Sequence, residues 1–302
     1  MARVIAVVNQ KGGVGKTTTA VNLGASLAAS EQKTLIIDCD PQGNTTSALG
    51  FPKDPARRTL YQALILKDQI ERIIINAQVD RLELIPSDKN LVGAAVELVN
   101  MEDREYQLKA ILKSIRDGYN FILIDCPPSL DLLTLNALAA SDSVLIPIQC
   151  EYLALEGVSE LLDTLMRLRR TINPSLVIEG ILLTMYDDRT TLSKQVAADL
   201  RSFFGSQVFE SVIPRNVRLA EAPSHGMPVI FYDIHSKGAE SYIQLAKEVI
   251  TNAQKRFGQG IERPDSGPGI GLAASAGATG SSDSGGGSGG TGASSDSTAI
   301  SE

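Results

Sequence analysis

The chain has 302 residues, a formal net charge of −7, no tryptophan and only three cysteines. A negative overall balance argues against nucleic-acid binding, which needs local positive charge over phosphates. The widely spaced Cys39, Cys126 and Cys150 supply neither a disulfide framework nor a CxxC motif, and no apolar run approaches the roughly 18 residues of a membrane span.

The first apolar run, residues 4–8, is too short for a signal-peptide core, so a cytoplasmic protein is expected. It reads as a buried strand. Directly after it stands Lys11-Gly12-Gly13-Val14-Gly15-Lys16-Thr17-Thr18. Glycines there let backbone N–H groups approach phosphate oxygens, and the helix expected to begin near Lys16 adds its positive end. In such a loop Lys16 reaches the β and γ phosphates and the Thr17 hydroxyl ligates Mg²⁺. The common pattern places Gly five residues before Gly15. Gln10 occupies that position, and Lys11 adds a second lysine at the loop mouth.

The next run, residues 34–37, ends in Asp38-Cys39-Asp40-Pro41-Gln42-Gly43, and residues 121–124 end in Asp125-Cys126-Pro127-Pro128. Ligands of open α/β sheets bind at the carboxyl ends of strands, so Asp38, Asp40 and Asp125 are expected to converge on the loop. Asp38 and Asp125 are candidate acids for Mg²⁺. Further strands are expected at Leu82–Ile85, 144–148 and 177–184, and helices where Leu108, Ile111, Leu112 and Ile115, or Leu155, Val158, Leu162 and Leu165, recur at helical spacing. Strand–helix alternation of this kind implies an α/β fold: a doubly wound, mostly parallel sheet with helices on both faces.

Residues 167–256 carry 12 basic and 9 acidic side chains, which reopens the nucleic-acid question. Within them a helix is expected over 190–204, with Leu192, Val196, Leu200 and Phe203 on one face and Lys194 and Arg201 opposite. Residues 1–257 are expected to form one domain. The remainder, 258–302, holds 13 of the 26 glycines and ten serines, a composition expected to stay disordered.

The loop at 11–18, the segments Asp38-Cys39-Asp40-Pro41-Gln42-Gly43 and Asp125-Cys126-Pro127-Pro128, Met185-Tyr186-Asp187, and Pro214-Arg215-Asn216-Val217-Arg218-Leu219-Ala220-Glu221-Ala222-Pro223 together resemble the ParA/MinD class of P-loop ATPases, the small chromosomal ParA (Soj) type above all. The resemblance covers residues 1–255. It implies an ATP hydrolase of slow basal rate that uses ATP and Mg²⁺ in DNA segregation. Catalytic roles would fall to Lys11, which crosses an ATP-dependent homodimer to the partner's phosphates, to Lys16, and to Asp40, which positions the attacking water. Lys11, Gly12, Gly13, Val14, Gly15, Lys16, Thr17 and Thr18 would hold the nucleotide, with Pro214 and Asn216 near the adenine, and Thr17, Asp125 and Asp38 would serve the metal.

The same resemblance implies nonspecific duplex DNA binding through Arg189 and Arg218, a ParB-type centromere-binding partner, and nucleoid association. Two relatives of the class remain as alternatives, one positioning a protein cargo on the nucleoid and one cycling on membranes like MinD. Membrane cycling needs a basic amphipathic C-terminal helix, and residues 258–302 offer Gly, Ser and Asp instead. Cys39 and Cys126 beside the acids read as small buried apolar residues, and His225 and His235 as loop residues.

Overall fold

The computed structural model of the chain describes residues 2–151 and 154–258. The compositionally distinct tail therefore lies outside the described residues, Gly258 excepted. Eight strands, β1 (Arg3–Val7), β2 (Thr34–Asp38), β3 (Ile75–Asn76), β4 (Leu82–Ile85), β5 (Phe121–Asp125), β6 (Ser143–Gln149), β7 (Val177–Tyr186) and β8 (Val208–Pro214), form one sheet in the order β3-β4-β2-β5-β1-β6-β7-β8. All neighbours run parallel except β3 and β4.

Eleven α-helices of the described residues flank it: α1 (Lys16–Ala29), α2 (Asn44–Ala48), α3 (Leu60–Leu64), α4 (Leu91–Glu97), α5 (Gln107–Leu112), α6 (Leu132–Ala140), α7 (Ala154–Thr171), α8 (Thr191–Phe204), α9 (Val217–Glu221), α10 (Val229–Tyr232) and α11 (Lys237–Gly258). Alternate strand residues feed two cores. Val4 and Ala6 pack with residues of α3 to α8, while Ile5 and Val7 pack with α1, α2 and α9 to α11. A strand buried on both faces needs apolar side chains at consecutive positions, which is why these strands read as continuous runs. Among the described residues no helix is long and apolar enough to cross a membrane.

Two elements depart from expectation. Strand β8 carries Glu210 and Ser211 in mid-strand because it is an edge, and the Glu248 carboxylate of α11 accepts both of their backbone N–H groups at 2.9 and 3.1 Å. In α8 the buried residues are Ser193, Val196, Ala197 and Leu200. Leu192 and Phe203 stand 47% and 61% exposed, since they occupy its first and last turns, outside the stretch that meets the core.

Candidate nucleotide site

The order of the strands places β1 between β5 and β6, and β5 beside β2. Their carboxyl ends therefore meet, and the register sets Asp125 opposite both Val7 and Asp38. From β1 the chain turns through the glycine loop into α1. Gly13 and Gly15 take φ of 74° and 89°, a left-handed backbone that side chains disfavour. A Cβ built on Gly12 or Gly13 would meet nothing within 4 Å, so the loop faces open space. No side chain caps α1 at Gly15, which leaves its first N–H groups to an anion.

Lys16 is 7% exposed and lies across this loop, its Nζ donating to the Lys11 carbonyl at 3.2 Å. Burial lowers the pKa of its ammonium, opposed by the Asp125 charge. The Thr17 hydroxyl donates to Asp125 Oδ2 at 2.8 Å and the Thr45 hydroxyl to the same oxygen at 2.7 Å. Asp125 Oδ1 is buried without a hydrogen-bond partner. Burial pushes the Asp125 carboxyl up to about 6, against the pull of those two hydroxyls. A buried acid with one unpartnered oxygen beside a threonine hydroxyl fits the donor set of a Mg²⁺ ion completed by phosphate oxygens. Among the described residues no cluster of His, Cys, Asp and Glu could hold a metal without such help.

Asp38 is hydrogen-bonded through both carboxylate oxygens. Its Oδ2 accepts from the Thr46 N–H at 2.8 Å and the Thr46 hydroxyl at 2.6 Å, and its Oδ1 from the Asp40 N–H at 3.2 Å. Burial, reinforced by the neighbouring Asp125, raises it to about 8. With both oxygens engaged, Asp38 braces the segment after β2, whereas Asp125 keeps one oxygen without a partner. Asp40 is 8% exposed, and its Oδ1 accepts from the Gln42 N–H at 2.9 Å. Gly43, at φ 65°, then starts α2, which delivers Thr45 and Thr46. Ser87, beyond β4, donates through Oγ to the Asp40 carbonyl at 2.7 Å. A cavity of about 520 Å³ adjoins this segment, between Pro41, Gly43, Phe51, Arg57 and Lys89.

Thr45, Thr46 and Ser87 join the site without having been expected there. Only the threonine pair had a local signal, two hydroxyls one turn after an acid-ended strand. Cys39 and Cys126 are buried, and burial pushes both thiols up, as the structural reading expected.

Lys11 behaves unlike Lys16. Its side chain is 54% exposed and its Nζ pairs with Glu151 Oε2 at 2.9 Å. Pro214 ends β8 and Asn216 caps α9, its Oδ1 accepting from the Arg218 N–H at 2.8 Å. Exposed Arg189 grips the half-buried Asp187 with two bonds of 2.9 and 2.8 Å, which hold that acid down to about 2. Arg218 pairs with Glu221 at 2.7 Å and Asp233 at 3.1 Å. Among the described residues Lys194, Arg201 and Arg215 have no ion-pair partner.

A protein-family model described as an AAA domain matches residues 2–178. The chain is 52% identical over 250 residues to the chromosome partitioning protein ParA of Myxococcus xanthus, covering 83% of this chain and 88% of that one. It is 52% identical over 252 residues to the sporulation initiation inhibitor protein Soj of Bacillus subtilis, covering 83% and 100% respectively. Among solved structures it resembles cobyrinic acid a,c-diamide synthase from Mycobacterium smegmatis with bound ATP analog and magnesium, at a TM-score of 0.74 and 35% identity over 84% of this chain and 96% of that one. Taken with the phosphate loop and its buried acids, these likenesses place the chain in the ParA/Soj family of chromosome-partitioning P-loop ATPases, enzymes that hydrolyse ATP with Mg²⁺.

Proposed function

We propose that the ATP-bound chain closes into a sandwich dimer that binds duplex DNA without reading its sequence, and that a ParB-type centromere-binding partner releases it by stimulating hydrolysis. The observation that carries this reading is the contrast between two lysines of one loop. Lys16 is buried against its own site, whereas Lys11 is about half exposed and paired with Glu151 instead of lying across its own loop. An outward cation at a phosphate loop suits the nucleotide of a second protomer, where it stabilises developing charge as an arginine finger does.

In this reading Gly12 to Thr18 cradle the phosphates, and Thr17 and Asp125 would hold Mg²⁺, which would supply positive charge against the phosphate oxygens. Asp40 orients a water molecule whose oxygen bonds to the γ-phosphorus while the bond to the bridging oxygen breaks, ADP leaves with the electron pair, and the water's proton passes to the released phosphate. Asp38 acts through Thr46 and Asp40. Pro214 and Asn216 flank the adenine from the end of β8. Arg189 and Arg218 contact DNA phosphates from the rim of β7 and β8, supported by Arg215, close enough to Asp187 to act on its charge. Each arginine exchanges a carboxylate for a phosphate, and pairing two protomers doubles a modest patch. A nucleoid location follows.

Gel shifts of unrelated duplexes with ATP, ADP and no nucleotide test the proposal. Retardation with ATP alone supports it; equal retardation in all three states, or none at low salt, refutes it.

A further inference from the structure

Lys11 is tethered to β6 at two points. Its backbone N–H donates to Asn9 Oδ1 at 2.9 Å, and the Asn9 amide donates to the Pro147 carbonyl at 2.7 Å. Its ammonium meets Glu151, two residues past the end of β6, at 2.9 Å. The other Glu151 oxygen accepts from the Gln149 side-chain amide. The carboxylate is thus aimed by its own strand, and the lysine's backbone stays fixed whichever way its side chain turns. Phosphate binding gives no reason for an acid here, because a carboxylate at the mouth of the loop repels the anion the loop is built to take.

We propose that Glu151 is a latch, a positioning residue that parks Lys11 in the resting protomer and yields it only to the phosphates of a second nucleotide-bound copy. The inference rests on the reading that Lys11 reaches across a dimer. One ammonium cannot pair with Glu151 and with a partner's phosphate at once, so the two compete. Both side chains are about half exposed, at 54% and 47%, and an ion pair in such a setting is weak and screened by salt. A phosphate, with more charge and more acceptor oxygens, displaces the carboxylate. The latch therefore adjusts how readily ATP-bound protomers associate without blocking them.

E151Q keeps the shape and removes the charge. In sedimentation with ATP at low salt, the dimer dissociation constant of E151Q should fall about three- to fivefold, the scale of an exposed ion pair, and the difference should vanish at about 0.5 M salt. ATP binding by the protomer and the melting temperature should not change. Without nucleotide, an amine-reactive ester should label Lys11 faster in E151Q than in the parent. Unchanged or weaker dimerisation, or equal labelling, overturns the latch. K11Q separates this failure from failure of the underlying reading. If K11Q dimerises and hydrolyses ATP normally, Lys11 has no role across a dimer. If K11Q loses both and E151Q matches the parent, only the latch falls. A gain from E151Q that persists in K11Q/E151Q also overturns it, since Glu151 would then act by repelling phosphate directly.

Discussion

The two charged regions of this molecule obey different physics. At the carboxyl ends of β1, β2 and β5, Lys16, Asp38, Asp40 and Asp125 are almost withdrawn from water. There a charge costs several kcal/mol unless it is hydrogen-bonded or paired, and donors from Thr17, Thr45, Thr46 and the Asp40 N–H meet the acids. At the rim of β7 and β8, Arg189 and Arg218 lie in water, each beside carboxylates of its own chain. Such pairs contribute about 0–1 kcal/mol and weaken with salt. The interior holds one geometry because alternatives are expensive. The rim can exchange partners because none is.

That contrast ranks the consequences of mutation. Lys16→Ala removes the interior cation and should abolish ATP-dependent dimerisation, with hydrolysis reduced at least about 100-fold; near-normal turnover would move the phosphate site elsewhere. Asp40→Ala should cost hydrolysis on a similar scale, about 10²-fold, while sparing nucleotide binding and dimer formation. Equilibrium dialysis with labelled ATP separates the two variants. Thr45→Val leaves a buried Asp125 oxygen with one donor fewer, and the apo protein should lose about 1–3 kcal/mol in denaturant unfolding. An unchanged midpoint would show that the hydroxyl is dispensable.

The interior acids also set a pH dependence. Both folded values are raised, Asp38 to about 8 and Asp125 to about 6, above an ordinary value of 3.8. The folded state then holds more protons than the unfolded one between roughly pH 4 and 8, so stability falls as pH rises through that window. Thermal melts of the nucleotide-free protein should show it, and Mg²⁺ with ATP should flatten the trend by compensating the Asp125 charge. A stability rising with pH over this range would contradict the buried-acid account.

At the rim the effects are smaller. Arg189→Ala and Arg218→Ala should each weaken DNA binding several-fold and reduce the slope of log affinity against log salt by about 1 for each phosphate left without its arginine. Their melting temperatures should stay near the parent value. A variant that also lost dimerisation would show that its arginine serves the dimer.

Much of the interior was legible in sequence because local patterns encode it. An apolar run ending in an acid places Asp38, Asp40 and Asp125 at strand ends, and the loop glycines announce their backbone. What was not legible comes from afar: Thr45 meets Asp125 across 80 residues and Glu151 meets Lys11 across 140. No spacing rule joins such positions. The engagement of Asp38 with Thr46, only eight residues on, appears once α2 folds back. Strand β8 hid because an edge tolerates polar residues. For the arginines, Asp187 and Glu221 were near in sequence, but proximity alone does not reveal a paired side chain.

In the proposed cycle the buried site commands the exposed rim through the nucleotide. Fluorescence anisotropy of a labelled duplex of arbitrary sequence, titrated with Asp40→Ala, tests it most directly. Saturable binding is expected with ATP, little with ADP, and none when Lys16→Ala is added to the same chain. Equal binding with ATP and ADP, or binding that survives Lys16→Ala, would show that the rim holds DNA without instruction from the site.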